Sequence, residues 1–372
     1  MLLRALLGCV FLFVLRAFSL SSNSHDAVMT RFSATPQIKN LIIDTDLFSD
    51  VDDAGALLLA AAASSTDVCL LAVNVNHPSS YSALAASAIL AHYGHAHVPV
   101  GRVRRPLTNE TFFDSWFFEL GEYASKVAFH WSGGTLPWGH ADDAWDAVSL
   151  YRKVLSEADD QSVTIASIGF LENLSGLLNS TADGYSSLNG RALIAAKVEE
   201  LVIMGGGYPS GYEYNFWGSN ASLAAHVVNN WDASPIAYSG YELGANVRSG
   251  ARLMAEGPAA DPVRAAYIYH TYNTSRPSWD PLTVLYATSG LASGLFEYGN
   301  EFGYNHVTEN GSNAWVYDDS VRNQHWLKLK VTEDAAAAEL ERRLLEGARA
   351  AAKDDNASLG LNQVPGRHFG DL

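Results

Sequence analysis

Short apolar, β-branched runs alternate along the chain with longer Ala- and Leu-rich stretches. Asn40–Asp44, Val68–Val75, Val163–Ile168, Leu201–Met204 and Pro235–Tyr238 each read as a buried strand. Ala54–Ala63 and Tyr81–Tyr93 read as helices set between such strands. Strand, helix and strand at this spacing make βαβ units, so the expected fold is α/β: a mainly parallel open sheet with helices on both faces. Near the C-terminus, Ala314–Tyr317 and His325–Lys330 read as a small hairpin, and Glu333–Lys353 as a surface helix. Residues 105–145 break the alternation. They carry Phe112, Phe113, Trp116, Phe117, Phe118, Phe129, Trp131, Trp138 and Trp145, and are expected to cover one end of the sheet.

The termini change the picture. Residues 1–20 place Arg4 before an apolar run from Leu6 to Leu15, the pattern of a secretory signal and too short to span a bilayer. Residues 21–38 form a polar, Ser-rich lead-in, 39–353 a single α/β domain, and 354–372 a tail. N-x-S/T sequons at Asn109, Asn173, Asn179, Asn220, Asn273, Asn310 and Asn356 fit a secreted, N-glycosylated protein. Cys9 falls within the signal, which leaves Cys69 in an apolar run as a small buried hydrophobe rather than half of a disulfide. The formal charge of −16 argues against nucleic acid as a partner, because phosphate-binding proteins cluster Lys and Arg. No later apolar run is long enough for stable membrane insertion.

One segment carries the chemistry. Asp44, Asp46, Asp50, Asp52 and Asp53 follow directly from the first strand. Ligands of open parallel sheets sit at the carboxyl ends of the strands, where this loop lies. A helix N-cap accounts for one such aspartate, not for five. Crowded carboxylates repel unless cations neutralise them or some take up protons. Hard oxygen donors select Ca²⁺ or Mg²⁺, and mixed carboxylate and carbonyl ligation suits Ca²⁺.

Asp44-Thr45-Asp46 with Asp50-Val51-Asp52-Asp53-Ala54 resembles the N-terminal signature of the inosine-uridine nucleoside hydrolases, D-x-D-P-G-x-D-D-A, with two extra residues before the Asp pair. Further likenesses follow in order: Ser167–Leu174, Leu201–Gly207, Glu213-Tyr214-Asn215-Phe216-Trp217 and Trp279-Asp280-Pro281-Leu282. The resemblance spans roughly residues 39–330 and implies hydrolysis of a ribonucleoside to free base and ribose on one Ca²⁺. It implies Asp46, Asp53 and Asp280 as side-chain ligands, the carbonyl of Ile168 as another, and Glu213, Asn215 and Asn76 as ribose-binding residues. It also implies a homo-oligomer. Trp279 stands where pyrimidine-tolerant members carry histidine, which points to purine metabolism, with Trp279 stacking on the base. Phe113, Trp116 and Trp131 are candidates for the opposite face of the base.

A carboxylate beside a metal-bound water can take its proton, which makes Asp52 the candidate general base, with Asp50 competing for the role. Asp44 is expected to orient the loop and its ligands. Each residue also has a plainer account: Asp52 as a helix N-cap, Asp280 as the cap of a helix starting at Pro281, and His77 and His130 as structural residues rather than proton donors. Two rival functions stay open. One is a secreted, non-catalytic ribose- or nucleoside-binding protein on a hydrolase-like scaffold. The other is a dehalogenase-like phosphohydrolase, whose D-x-D start Asp44-Thr45-Asp46 also fits, although Phe48 stands where that family places Thr or Val.

Overall fold

A computed structural model describes residues 38–359 apart from 49, 65–67, 109, 113 and 115–122, with the side chains of 354–359 also left aside. The signal at 1–20, nearly all of the lead-in, the chain end, and Phe113, Trp116, Phe117 and Phe118 lie outside the described residues.

Fourteen strands form among them: β1 (Lys39–Thr45), β2 (Val68–Val75), β3 (Val100–Arg102), β4 (Trp145–Asp146), β5 (Val163–Ile168), β6 (Val198–Met204) and β7 (Ser210–Tyr212), then β8 (Ile236–Ser239), β9 (Arg248–Ser249), β10 (Arg276–Pro277), β11 (Phe296–Tyr298), β12 (Tyr304–Val307), β13 (Ser312–Val316) and β14 (Gln324–Leu329). Nine make one sheet in the order β11-β14-β8-β6-β5-β1-β2-β3-β4, parallel throughout except for β11 at one edge. The fold is therefore the expected open, mainly parallel α/β sheet.

The strands read as continuous apolar runs because both of their faces are covered. Leu41 and Ile43 of β1 pack into one core, and Ile42 between them into the other. β5 and β6 divide their residues in the same alternating way. The Asp52–Ala63, Ser82–His92 and Trp279–Ser289 helices cover the first face; the Ala147–Glu157, Gly190–Lys197 and Ala221–Asn230 helices cover the second. Asp52–Ala63 is buried along ten consecutive residues, which is why it shows no polar stripe. No described helix is long and apolar enough to cross a membrane. Cys69 is half-buried rather than enclosed.

Strand order reverses at β1, with β2, β3 and β4 on one side and β5, β6, β8 and β14 on the other. Such a switch point opens a crevice at the strand ends where ligands bind.

The expected C-terminal hairpin needs correction. Residues 314–317 do not pair with His325–Lys330. β13 forms its hairpin with β12 and pairs on its other side with β7, whereas β14 joins the main sheet parallel to β8. Both segments have strand-like apolar patterns, and sequence proximity alone suggested pairing. The C-terminal helix starts at Glu333 as expected and runs past Lys353 to Leu359. Within 105–145, Phe112 packs against Phe129 and Trp138, and Trp138 stacks on Tyr81.

Candidate active site

A cavity of about 420 Å³ opens at the strand ends, lined by the acids after β1, Ile168 at the end of β5, Met204 at the end of β6, and residues of the 212–217, 241 and 276–280 segments. Asp52, Asp53 and Asp280 each present a carboxylate oxygen, and these oxygens lie within 4.8 Å of one another. All three side chains are buried. Burial, then mutual repulsion among the neighbouring carboxylates, raises each well above its ordinary pKa. Asp46, half-buried in the same wall, is pushed up to about 8 by burial and by the Asp50 charge. A set of oxygen donors this close, with protonation as the alternative to neutralisation, fits a hard divalent cation.

The five aspartates differ sharply in their surroundings. Asp44 is fully buried and accepts from Asn76 Nδ2 (2.6 Å), Asn173 Nδ2 (3.2 Å) and the Tyr151 hydroxyl (2.8 Å). Burial still lifts it to about 7. It ties β1 to the end of β2 and to the Glu172–Leu178 helix, the orienting place expected of it. Arg276 grips both oxygens of Asp50, Nε at 2.8 Å from Oδ1 and Nη2 on Oδ2. Burial opposes the charge on Asp50, but Arg276 more than offsets it and holds this acid below the usual carboxylate range. Asp52 begins its own helix but serves another: its Oδ2 accepts from the backbone N–H groups of Trp279 (3.0 Å) and Asp280 (3.2 Å), at the first turn of the Trp279–Ser289 helix. Ser278, at the N-cap of that helix, offers no side-chain cap. Asp53 accepts from the Thr45 hydroxyl.

Asp280 lies inside the helix rather than capping one that starts at Pro281. Thr45 pairs with Ile168 across β1 and β5, which brings the Ile168 end of β5 beside the acidic loop. Gly169 lets the two segments approach: a Cβ there would stand 2.8 Å from Asp46 Cβ and Oδ1.

Glu213 and Asn215 line the cavity. Glu213 caps the short Tyr214–Trp217 helix, accepting from the N–H of Asn215 (3.0 Å) and of Gly206 (3.2 Å), and burial raises it to about 7. Asn215 Nδ2 donates to the Met204 carbonyl at 3.2 Å. Asn76 is not brought into the cavity. It is fully buried, one N–H of its Nδ2 donating to Asp44 and its Oδ1 accepting from the Phe170 N–H (3.1 Å), so in this structure it ties strand ends together and does not line the cavity. Trp131 is also elsewhere, donating from Nε1 to the Ala260 carbonyl. Neither histidine candidate lines the cavity: His77 stacks on Phe48, with burial lowering it to about 4, and His130 contacts Asp114.

Trp279 does line it. Its Nε1 donates to the Tyr241 carbonyl (2.7 Å), its ring stacks with Tyr241 at 5.5 Å between centroids, and the Arg276 guanidinium sits 5.3 Å from the ring. Tyr212 and Trp217 stack at 5.4 Å, with Tyr214 edge-on to Trp217. Sequence reasoning missed Tyr241, Tyr212 and Arg276. Tyr241 follows strand β8, third from the sheet edge, at its carboxyl end, which was the available signal; Arg276 had none.

These features define an α/β protein built to hold a small polar ligand over clustered carboxylates at its strand ends. The chain belongs to the inosine-uridine preferring nucleoside hydrolase family, whose model matches residues 41–339. It is accordingly a hydrolase acting on N-glycosyl compounds. Solved structures share the fold: a plant nucleoside hydrolase (18% identity, TM-score 0.60, covering 84% of this chain and 99% of that one), an inosine-uridine preferring nucleoside hydrolase from Bacillus anthracis (17%, 0.57, 82% and 99%), and an inosine-guanosine nucleoside hydrolase (16%, 0.58, 84% and 99%). Comparison with curated protein sequences gives no match.

Proposed function

We propose that this chain is a secreted, N-glycosylated, Ca²⁺-dependent ribonucleoside hydrolase that prefers purine nucleosides. The observation that carries the reading is the triad Asp52, Asp53 and Asp280, with oxygens within 4.8 Å, on the floor of a cavity walled by Glu213, Asn215 and the Tyr241–Trp279 stack.

Asp46, Asp53 and Asp280, with the Ile168 carbonyl, would hold the ion, and this carboxylate and carbonyl set favours Ca²⁺ over the stricter octahedral Mg²⁺. When bound, the ion acidifies a coordinated water and orients it with the sugar. The chain's own groups do the rest. Asp52 has Oδ2 committed to the N–H groups of Trp279 and Asp280, so Oδ1 is the atom that takes a proton from the attacking water. Asp50, gripped by Arg276, is the poorer base. Glu213 and the Oδ1 of Asn215 accept from the sugar hydroxyls; Asn215 Nδ2 is already engaged by Met204. Tyr241 and Trp279 offer aromatic surface to the base, which favours the larger purine face. Sequons at Asn179, Asn220, Asn273 and Asn310 are exposed, as glycan attachment requires.

The test is a panel of inosine, guanosine, adenosine and uridine assayed with Ca²⁺ and with chelator. Chelator-sensitive release of free base, fastest for the purines, is expected. Asp53→Ala should lower kcat by at least about a thousandfold and abolish tight Ca²⁺ binding by calorimetry. An active, metal-independent Asp53→Ala variant would falsify the mechanism.

A further inference from the structure

Arg276 is the only cation among the described residues lining the cavity. It is anchored side-on: Asp50 takes the Nε–H and one N–H of Nη2. A guanidinium carries five N–H donors in a fixed plane. The anchored geometry therefore leaves three, two on Nη1 and one on Nη2, which includes the end-on fork between the two terminal nitrogens. No hydrogen bond to that fork occurs among the described residues. The group also sits 5.3 Å from the Trp279 ring, beside the aromatic surface assigned to the base.

Resting on the proposed function, we propose that Arg276 recognises the leaving base and selects 6-oxopurines. Its end-on fork matches two adjacent acceptors, and O6 with N7 of hypoxanthine or guanine provide such a pair. Adenine presents an amino donor in place of O6, so the fork meets a donor and the match fails. The same contact acts on the chemistry. As the C1′–N9 bond breaks, its electron pair passes to the purine, while the C1′–O bond forms to water and the water's proton goes to Asp52. No described histidine lines the cavity to protonate the departing base. The Arg276 charge stabilises the purine anion instead, and the anion takes its proton from solvent after release. Asp50 is a positioning residue: it fixes the guanidinium plane.

The test compares wild type with Arg276→Lys, Arg276→Gln and Asp50→Asn, all with Ca²⁺, on inosine, adenosine and 4-nitrophenyl β-ribofuranoside, whose leaving group needs no help. Thermal melting of each variant reports its folding. Wild type should favour inosine over adenosine in kcat/KM. Arg276→Lys, which keeps charge but loses the fork, should cut that preference by about tenfold to a hundredfold. Arg276→Gln should lose at least tenfold more activity on inosine than on the nitrophenyl riboside, and Asp50→Asn should shift the inosine-to-adenosine ratio in the same direction. A folded Arg276→Lys variant with an unchanged ratio, or equal losses on the two leaving groups in Arg276→Gln, overturns the assignment. A wild-type chain inactive on every riboside overturns the proposed function as well.

Discussion

Removing divalent ions should make the stability of this chain fall with rising pH, and restoring them should flatten that fall. Asp46 titrates at about 8 in the folded chain against an ordinary 3.8, and Asp52, Asp53 and Asp280 are displaced in the same direction, all by burial first and by neighbouring carboxylates second. Between those two values the folded chain holds a proton that the unfolded chain has released. Stability is therefore unaffected below the unfolded value, declines as pH rises through the interval, and levels off above the folded value. One fully buried group costs about 1.4 kcal/mol per pH unit; for half-buried Asp46, about 1–2 kcal/mol between pH 5 and 7 is the fair expectation. A bound ion holds its ligands Asp46, Asp53 and Asp280 ionised, which removes their proton uptake and makes binding tighter as pH rises. At a hundred times its Kd the ion adds about 2.7 kcal/mol. With an unfolding entropy of about 2.1 cal/mol/K per residue, a chain of 372 residues gains about 1.3 °C per kcal/mol, so saturation raises the melting point by about 3.5 °C. That gap should widen by about 1–3 °C from pH 5 to 7. Asp44 and Glu213, both at about 7, add a slope of the same sign. Differential scanning calorimetry of ion-stripped and Ca²⁺-saturated protein across pH 5–8 measures the gap directly. A gap that is absent, or stays flat with pH, refutes the reasoning.

Gly169→Ala should lower kcat about a hundredfold with little change in circular dichroism, because the new Cβ would press on Asp46 and move it from its place in the cavity wall. Tyr151→Phe removes one of three donors from the buried Asp44 carboxylate and should cost about 1–3 kcal/mol in denaturant unfolding. Asn173 is 2% exposed and donates to Asp44, so peptide mass spectrometry of chain made in a secretory host should find glycans at exposed sequons such as Asn179 and Asn273 but none at Asn173.

Much of this was legible because parallel strands buried on both faces leave an uninterrupted apolar signature, and because acids placed at strand ends are rare without cause. The Val68 run and Val163–Ile168 became β2 and β5 with the same ends, and NLIID became β1 with one residue more at each end. The short strands β3, β4 and β7 carry too few residues to show a period, and they exist because a sheet edge or a neighbouring hairpin accepts them. Pairing was the weaker inference: β13 and β14 are both strands, yet only tertiary context assigns them to different sheets. In the site, residue type located the acids, Glu213 and Asn215, but could not show that the Asn76 amide donates to Asp44 and accepts from the Phe170 N–H. Nor could it find Arg276, whose importance comes from an ion pair across more than two hundred residues of sequence.

The five aspartates of the loop are indistinguishable by composition, and the fold sorts them by what it gives each in return for burial. Asp44 receives three neutral donors and Asp50 receives a cation, so neither calls for an ion. Asp52 receives two backbone amides and Asp53 a hydroxyl, and among the described residues no Lys or Arg forms an ion pair with Asp46, Asp52, Asp53 or Asp280, although the charge of Arg276 reaches Asp52. Four carboxylates exceed the charge of one divalent ion by two. A loaded site therefore keeps excess negative charge, which favours proton uptake by whichever acid is least engaged by the ion. Asp52 is that acid in the proposed arrangement, since a helix N-terminus already occupies one of its oxygens. The surplus keeps it basic enough near neutral pH to accept a proton from water, a property that a site with exactly balanced charge would lack.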